Sequence, residues 1–77
     1  MEDFRQASDR LSALGISIQE QAEALGLAYQ TIRLMRLDSE AKGYRRPPPE
    51  SNWRLTLGRL AQERAGELQR LAVELVG

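Results

Sequence analysis

The 77-residue sequence predicts an all-α fold, a bundle of four to five helices that ends in a long C-terminal helix. Apolar residues recur at intervals of three and four over three short segments and one long segment, which is the spacing of a buried helix face. Single glycines separate the short segments, and a proline-containing stretch without this periodicity precedes the long one. A chain of this length forms one domain, over residues 1–77, whose own core is only marginally stabilising, so we expect help from a second subunit.

The first helix is predicted over residues 3–14, where a glycine follows as a terminator. Its apolar residues share one helical face and are expected to point into the core: Phe4, Ala7, Leu11 and Leu14.

The second helix is predicted to begin after Ser17 and to end before Gly26. Ser17 and Glu20 form a capping box, which satisfies two backbone N–H groups at the start of a helix. Gly26 accepts the left-handed conformation that closes a helix without steric cost. Ala22 and Leu25 lie on the inner face of this helix.

The third helix is predicted over residues 29–37 and completes a three-helix core that spans residues 3–37. Ile32 and Met35 are three residues apart, so both are expected to be buried against the first two helices. The outward face of this helix carries polar and charged side chains: Tyr29, Gln30, Arg33 and Arg36.

Residues 38–51 are predicted to form a basic, proline-rich loop. The segment "DSEAKGYRRPPPES" lacks apolar periodicity and contains three consecutive prolines, which a helix interior does not tolerate. Residues 47–49 should be stiff and extended, because proline fixes its own φ and restricts the preceding residue. Ser51 is the expected cap of the last helix.

The C-terminal helix, over residues 52–76, carries the strongest helical signal in the chain. Its apolar stripe is interrupted only at Arg64. Gly58 and Gly66 each weaken a helix by about 1 kcal/mol relative to alanine. The sequence therefore does not decide whether the helix bends or breaks near either glycine. The helix is longer than its own domain needs, so its far end is predicted to pack on a second copy. The predicted dimer interface consists of Leu57, Leu60, Ala61, Leu68, Leu71 and Leu75.

The stretch "SIQEQAEALGLAYQTIRLMR" resembles the helix-turn-helix of Cro/C1-type (Xre-like) DNA-binding proteins in the spacing of Ala22, Gly26, Ile32 and Met35. In that family the small residue lets two helices approach, the glycine makes the turn, and the apolar pair anchors the recognition helix. The string "KGYRRPPP" also resembles the loop of short phage-type regulators, including anti-CRISPR-associated repressors.

Two positions depart from the family pattern. Gln21 stands where the family usually has an apolar residue, and Ala28 stands where a Ser or Thr usually caps the recognition helix. The resemblance nevertheless implies a helix-turn-helix bundle that binds double-stranded DNA, most simply as a homodimeric repressor of its own gene on a palindromic operator.

The expected contacts follow from the shape of the duplex. An α-helix fits the major groove, and residues near its N-terminus reach the base edges. Base contacts are therefore expected from Tyr29, Gln30, Thr31 and Arg33. Phosphate contacts are expected from Arg36, Lys42, Tyr44, Arg45 and Arg46. The N–H groups at the start of the second helix offer a further anion site.

The distribution of charge agrees with this hypothesis. The chain has 11 basic and 11 acidic residues and a formal net charge of zero, so it is not a generally polybasic protein. Residues 28–59 nevertheless contain seven basic and three acidic side chains, a net charge of +4, and the remainder has a net charge of −4. Positive charge is thus concentrated around the expected recognition helix and the following loop, where phosphate attraction is needed.

Composition argues against several other classes. The chain has no cysteine and no histidine, which excludes thiolate and imidazole metal sites, cysteine nucleophiles and Ser-His triads. We expect no enzyme activity, no cofactor, no metal and no small-molecule ligand. No stretch approaches the length of an apolar membrane span and the acidic N-terminus does not resemble a secretion signal, so a cytoplasmic protein without a membrane partner is expected.

One alternative function stays open. The chain is also compatible with a protein-interaction module, such as an antitoxin or a phage accessory protein, that uses the basic loop and the Leu-rich helix against a partner. Binding to DNA upstream of the protein's own gene separates the two hypotheses.

Overall fold

The computed structural model describes residues 3–47 and 52–77, and it confirms the predicted all-α architecture. Four helices follow one another with no strand in the described ranges: α1 (Phe4–Ala13), α2 (Ile18–Leu25), α3 (Tyr29–Met35) and α4 (Trp53–Val76). The expectations for the extended segment beyond Pro47 and for a cap at Ser51 lie outside the described residues. The observed N-cap of α4, Asn52, makes no side-chain capping hydrogen bond.

All four helices contribute to one small core. α2 contacts α1, α3 and the first half of α4, and α1 also packs on α4. The buried apolar residues are Phe4, Leu11, Ile16, Ala22, Ile32, Met35 and Leu57. At the edge of this core the rings of Phe4 and Trp53 pack edge to face, with centroids 5.3 Å apart, and join α1 to the start of α4.

The prediction for Leu14 is wrong. Its side chain is 77% exposed, whereas Ile16 is buried in its place. α1 ends at Ala13, and Gly15 adopts a left-handed φ of 96° that reverses the chain. The backbone N–H of Ile16 then donates to the carbonyl of Leu11 at 3.0 Å, which carries the Ile16 side chain into the core.

The two ends of α2 form as the sequence predicts. The Ser17 hydroxyl accepts a hydrogen bond from the Glu20 N–H at 3.1 Å, and the Glu20 carboxylate accepts one from the Ser17 N–H at 3.3 Å. Gly26 has φ 69° and ψ 28°, the left-handed conformation expected of a C-terminal glycine. α3 therefore follows α2 after a three-residue turn over residues 26–28.

α3 is shorter than predicted and the loop folds back onto it. The helix ends at Met35 rather than at residue 37, and Arg36 is its C-cap. The N–H of Arg45 donates to the carbonyl of Leu34 at 3.2 Å, a carbonyl in the last turn of the helix that also accepts from the N–H of Leu37 at 3.4 Å. The sequence cannot reveal this hydrogen bond, which joins the loop to the last turn of α3.

α4 is a single helix of 24 residues that continues through Gly58 and Gly66 without a break. Only its first half contacts the other helices, where Leu57 is buried and Leu60 and Ala61 pack against the core. The second half extends past the bundle and gives the molecule dimensions of 51 × 25 × 22 Å. None of the helices described in residues 3–47 and 52–77 is long and apolar enough to span a membrane.

Arg64 interrupts the apolar stripe because it pairs with α2. Its guanidinium contacts the carboxylate of Glu20 and also lies 3.8 Å from that of Glu67. Glu20 thus caps α2 through one oxygen and binds α4 through the other.

Candidate nucleic-acid interface

α3 has one buried side and one exposed side. Ile32 and Met35 are both almost completely buried against the bundle. On the other side the predicted base-contacting residues Tyr29, Gln30 and Arg33 are exposed, with Tyr29 at 45%. The helix is thus anchored by two apolar side chains while its polar side stays accessible.

The basic loop lies against α3 next to Thr31 and Met35. Thr31, which is half-buried, lines a small depression of about 170 Å³ together with Leu27, Met35, Arg45 and Arg46. Arg45 and Arg46 are themselves exposed. The tertiary structure therefore brings two cations of the loop next to the middle of α3, although they are at least fourteen residues away from Thr31 in sequence.

Two other predicted phosphate-binding residues lie further along the loop. Lys42 is exposed, in the turn whose glycine, Gly43, has a left-handed φ of 91°. Tyr44 is half-buried and lines a cleft of about 420 Å³ between the loop and the first turns of α1 and α4. Tyr44 therefore sits partly inside the fold and offers less accessible surface than Lys42.

Arg36 is held within the protein. Its guanidinium is hydrogen-bonded to the carboxylate of Asp9 on α1, and its Nε is buried without a hydrogen-bond partner among the described residues. A second ion pair, Arg5 to Asp38 at 3.9 Å, lies between the same helix and the start of the loop. Asp9 therefore competes with any phosphate for the Arg36 guanidinium.

Two N–H groups at the start of α2 are bound within the protein. They are the N–H groups of Ser17 and Glu20, which make the two hydrogen bonds of the predicted capping box. The Glu20 carboxylate also pairs with Arg64, so its negative charge is partly neutralised. The protein's own side chains therefore occupy two of the N–H groups at the helix start where a further anion site is expected.

Gln21 and Ser8 form a polar pair that sequence reasoning missed. Both side chains are completely buried between α1 and α2. The Ser8 hydroxyl donates to Gln21 Oε1 at 2.5 Å, and Gln21 Nε2 donates to the carbonyls of Ile16 at 3.1 Å and Ser8 at 3.3 Å. The only sequence signal was the presence of a polar residue at a position that the helix-turn-helix resemblance makes apolar.

The predicted dimer residues fall into two groups. Leu57 belongs to the core of its own chain, and Leu60 and Ala61 pack partly against it, because the first half of α4 completes the bundle. Leu57 is therefore not available to a second copy. Leu68, Leu71 and Leu75 lie beyond the bundle and are 47–77% exposed.

Comparison of the chain with protein-family models, with curated proteins and with solved structures gives no match.

Proposed function

We propose that this protein is a sequence-specific double-stranded DNA-binding regulator, and that it acts as a homodimeric repressor on a palindromic operator. The observation that carries the proposal is the arrangement of α3, whose Ile32 and Met35 are buried while Tyr29, Gln30 and Arg33 are accessible on its other side. A helix of this width fits the major groove of B-form DNA.

The chemistry of the accessible side chains suits base recognition. Gln30 can form two hydrogen bonds to adenine, and Arg33 can form two to guanine. Both lie on a helix rather than on a loop, so they present these groups from a rigid support. Tyr29 and Thr31 at the start of α3 provide hydroxyl groups and apolar surface to neighbouring positions.

The surrounding charges suit the phosphate backbone. Arg45, Arg46 and Lys42 are exposed on the loop that folds against α3. Phosphate contacts of this type fix the register of a protein on the duplex and carry little sequence information. Most acidic residues lie outside residues 28–59, so positive charge is concentrated in the segment that contains α3 and this loop.

Selection from a random pool of double-stranded oligonucleotides tests the proposal. We expect enrichment of an inverted repeat whose half-sites are centred about 10 base pairs apart, one turn of the duplex. Fluorescence anisotropy should then give a higher affinity for the selected duplex than for a scrambled one at the same salt concentration. Enrichment of no sequence, together with equal affinity for both duplexes, would falsify the proposal.

A second candidate function is a protein-interaction module, such as an antitoxin or a phage accessory protein. It is favoured by the exposed apolar half of α4, which includes Leu68, Leu71 and Leu75. Apolar patches of this kind usually mark a protein-protein contact. In this case a stable complex with a different protein forms and the oligonucleotide selection fails.

A further inference from the structure

Leu34 is an aliphatic residue of α3 that the core of the bundle does not use. Ile32 and Met35 on the same helix are buried in that core, whereas Leu34 is half-buried. Among the described residues, the partly buried hydrophobic side chains that pack on the core do not include Leu34. Part of an apolar side chain is therefore accessible on the helix that we propose enters the major groove.

Leu34 shares the accessible side of α3 with two residues that are proposed to contact bases. Successive residues of an α-helix are rotated by about 100°, so the mean direction of Ile32 and Met35 defines the buried side. Gln30 then lies within about 10° of the opposite direction, and Arg33 and Leu34 lie about 50° to either side of that direction. These three side chains therefore belong to one continuous face of the helix.

The loop after α3 lies beside Leu34 without covering it completely. The N–H of Arg45 donates to the Leu34 carbonyl at 3.2 Å, so the loop is attached to the helix at this residue. Gly43 is the loop residue next to the side chain, since a Cβ added there would lie 3.9 Å from Leu34 Cδ2. Because glycine has no side chain, the loop leaves part of Leu34 accessible.

We infer that Leu34 is a specificity-determining residue that contacts the C5-methyl group of a thymine in the major groove. The thymine methyl is the apolar group among the base-edge groups that this groove presents. Its contact with leucine removes two apolar groups from water, whereas a leucine against a polar base edge would leave that edge without a hydrogen-bond partner. This inference rests on the proposed function and deepens it, since it names a base that α3 reads.

The position of this thymine in the half-site follows from the geometry of α3. Gln30 and Leu34 are four residues apart, which places their Cβ atoms about 5–6 Å from each other. Successive bases of a strand are about 3.4 Å apart along the duplex, so the thymine should lie within about two base pairs of the adenine that Gln30 contacts. We therefore expect a thymine at this distance from the adenine in each half-site of the selected duplex.

Replacement of thymine by deoxyuridine tests the contact, because it removes the methyl group and keeps the hydrogen-bonding groups of the base. Each thymine of the selected duplex is replaced in turn, at equivalent positions of both half-sites, and the affinity of the full chain is measured by fluorescence anisotropy. At the thymine near the Gln30 adenine we expect the affinity to fall about fourfold per half-site, the effect of exposing roughly one buried apolar carbon. Unchanged affinity at every thymine overturns the inference.

Two variants connect this loss of affinity to Leu34. Leu34→Ala removes the contact, and Leu34→Gln replaces it with a polar side chain of similar length that a helix also favours. Both variants should bind the thymine duplex and the deoxyuridine duplex equally. Leu37→Ala is the matched control and should keep the difference, because Leu37 is 37% exposed and lies beyond the end of α3. A folded Leu34 variant that keeps the difference also overturns the inference.

Failure of the proposed function gives a different result from failure of this contact. If the chain does not read DNA sequence, the selection yields no preferred duplex, and the proposed function and this inference fail together. A preferred duplex whose affinity does not depend on any thymine methyl overturns this inference alone.

Discussion

Ser8 on α1 and Gln21 on α2 form a completely buried hydrogen-bonded pair that fixes the register of the first two helices. The side-chain amide of Gln21 also donates a hydrogen bond to the carbonyl of Ile16, the residue that enters the core after the turn that follows α1. One side chain therefore supports both the packing of α1 on α2 and the turn that connects them.

Replacement of Gln21 by methionine should lower the free energy of unfolding by about 1–3 kcal/mol. Methionine nearly preserves the side-chain volume, so the loss of stability reports the loss of hydrogen bonds. The substitution leaves the Ser8 hydroxyl and the Ile16 carbonyl without their Gln21 partner. Urea unfolding followed by circular dichroism gives the value. Gln19→Met, at an exposed position of the same helix, is the control and should change stability little. Equal stability of Gln21→Met and the natural chain would show that the buried pair is dispensable.

Replacement of Asp9 by asparagine should increase the affinity for DNA of any sequence. The substitution removes the charge that holds the Arg36 guanidinium, so that this cation becomes available to a phosphate. We expect the slope of log K against log salt to steepen by about one unit in anisotropy titrations. Asp3→Asn, at the N-cap of the same helix, is the control for loss of negative charge, because asparagine also caps a helix. An unchanged slope in Asp9→Asn would mean that Arg36 does not reach the duplex.

Arg33→Ala and Arg46→Ala should weaken DNA binding in different ways. Loss of Arg33 removes a base contact, so we expect a cost of about 1–3 kcal/mol on the preferred duplex and relaxed selection at one base pair. Loss of Arg46 removes a phosphate contact, so we expect similar weakening on all sequences and a salt slope smaller by about one. Competition titrations with single-base-pair variants of the selected duplex measure both effects. If the two variants bind as the natural chain does, the residue assignments are wrong.

Replacement of Gly26 by alanine should destabilise the protein by about 1 kcal/mol, because Gly26 adopts a left-handed conformation with φ 69° that a Cβ disfavours. Gly66→Ala is the matched comparison. Gly66 lies inside α4, where an added Cβ meets only the tip of Arg70 at 3.9 Å, so alanine should stabilise the helix by up to about 1 kcal/mol. Thermal unfolding of the two variants should therefore shift in opposite directions. A shift in the same direction would contradict the assigned turn.

The four helices, both caps of α2 and the burial of Ile32 and Met35 follow from the sequence alone, because they depend on local periodicity and on residues within one turn of each other. The spacing of Phe4, Leu11 and Leu14 could not reveal that the helix ends one residue before Leu14. The continuity of α4 through its two glycines was likewise undecided, since packing and intrinsic propensity oppose each other there.

The tertiary structure alone decided which charged and polar groups are already paired. Arg36 meets Asp9 across 27 residues, and Arg64 meets Glu20 across 44. No local pattern encodes such pairs, because they depend on how helices distant in sequence are placed against each other. The sequence thus determined which residues could recognise a ligand, and the fold determined which of them are accessible, because every contact made inside the bundle withdraws a side chain from its surface.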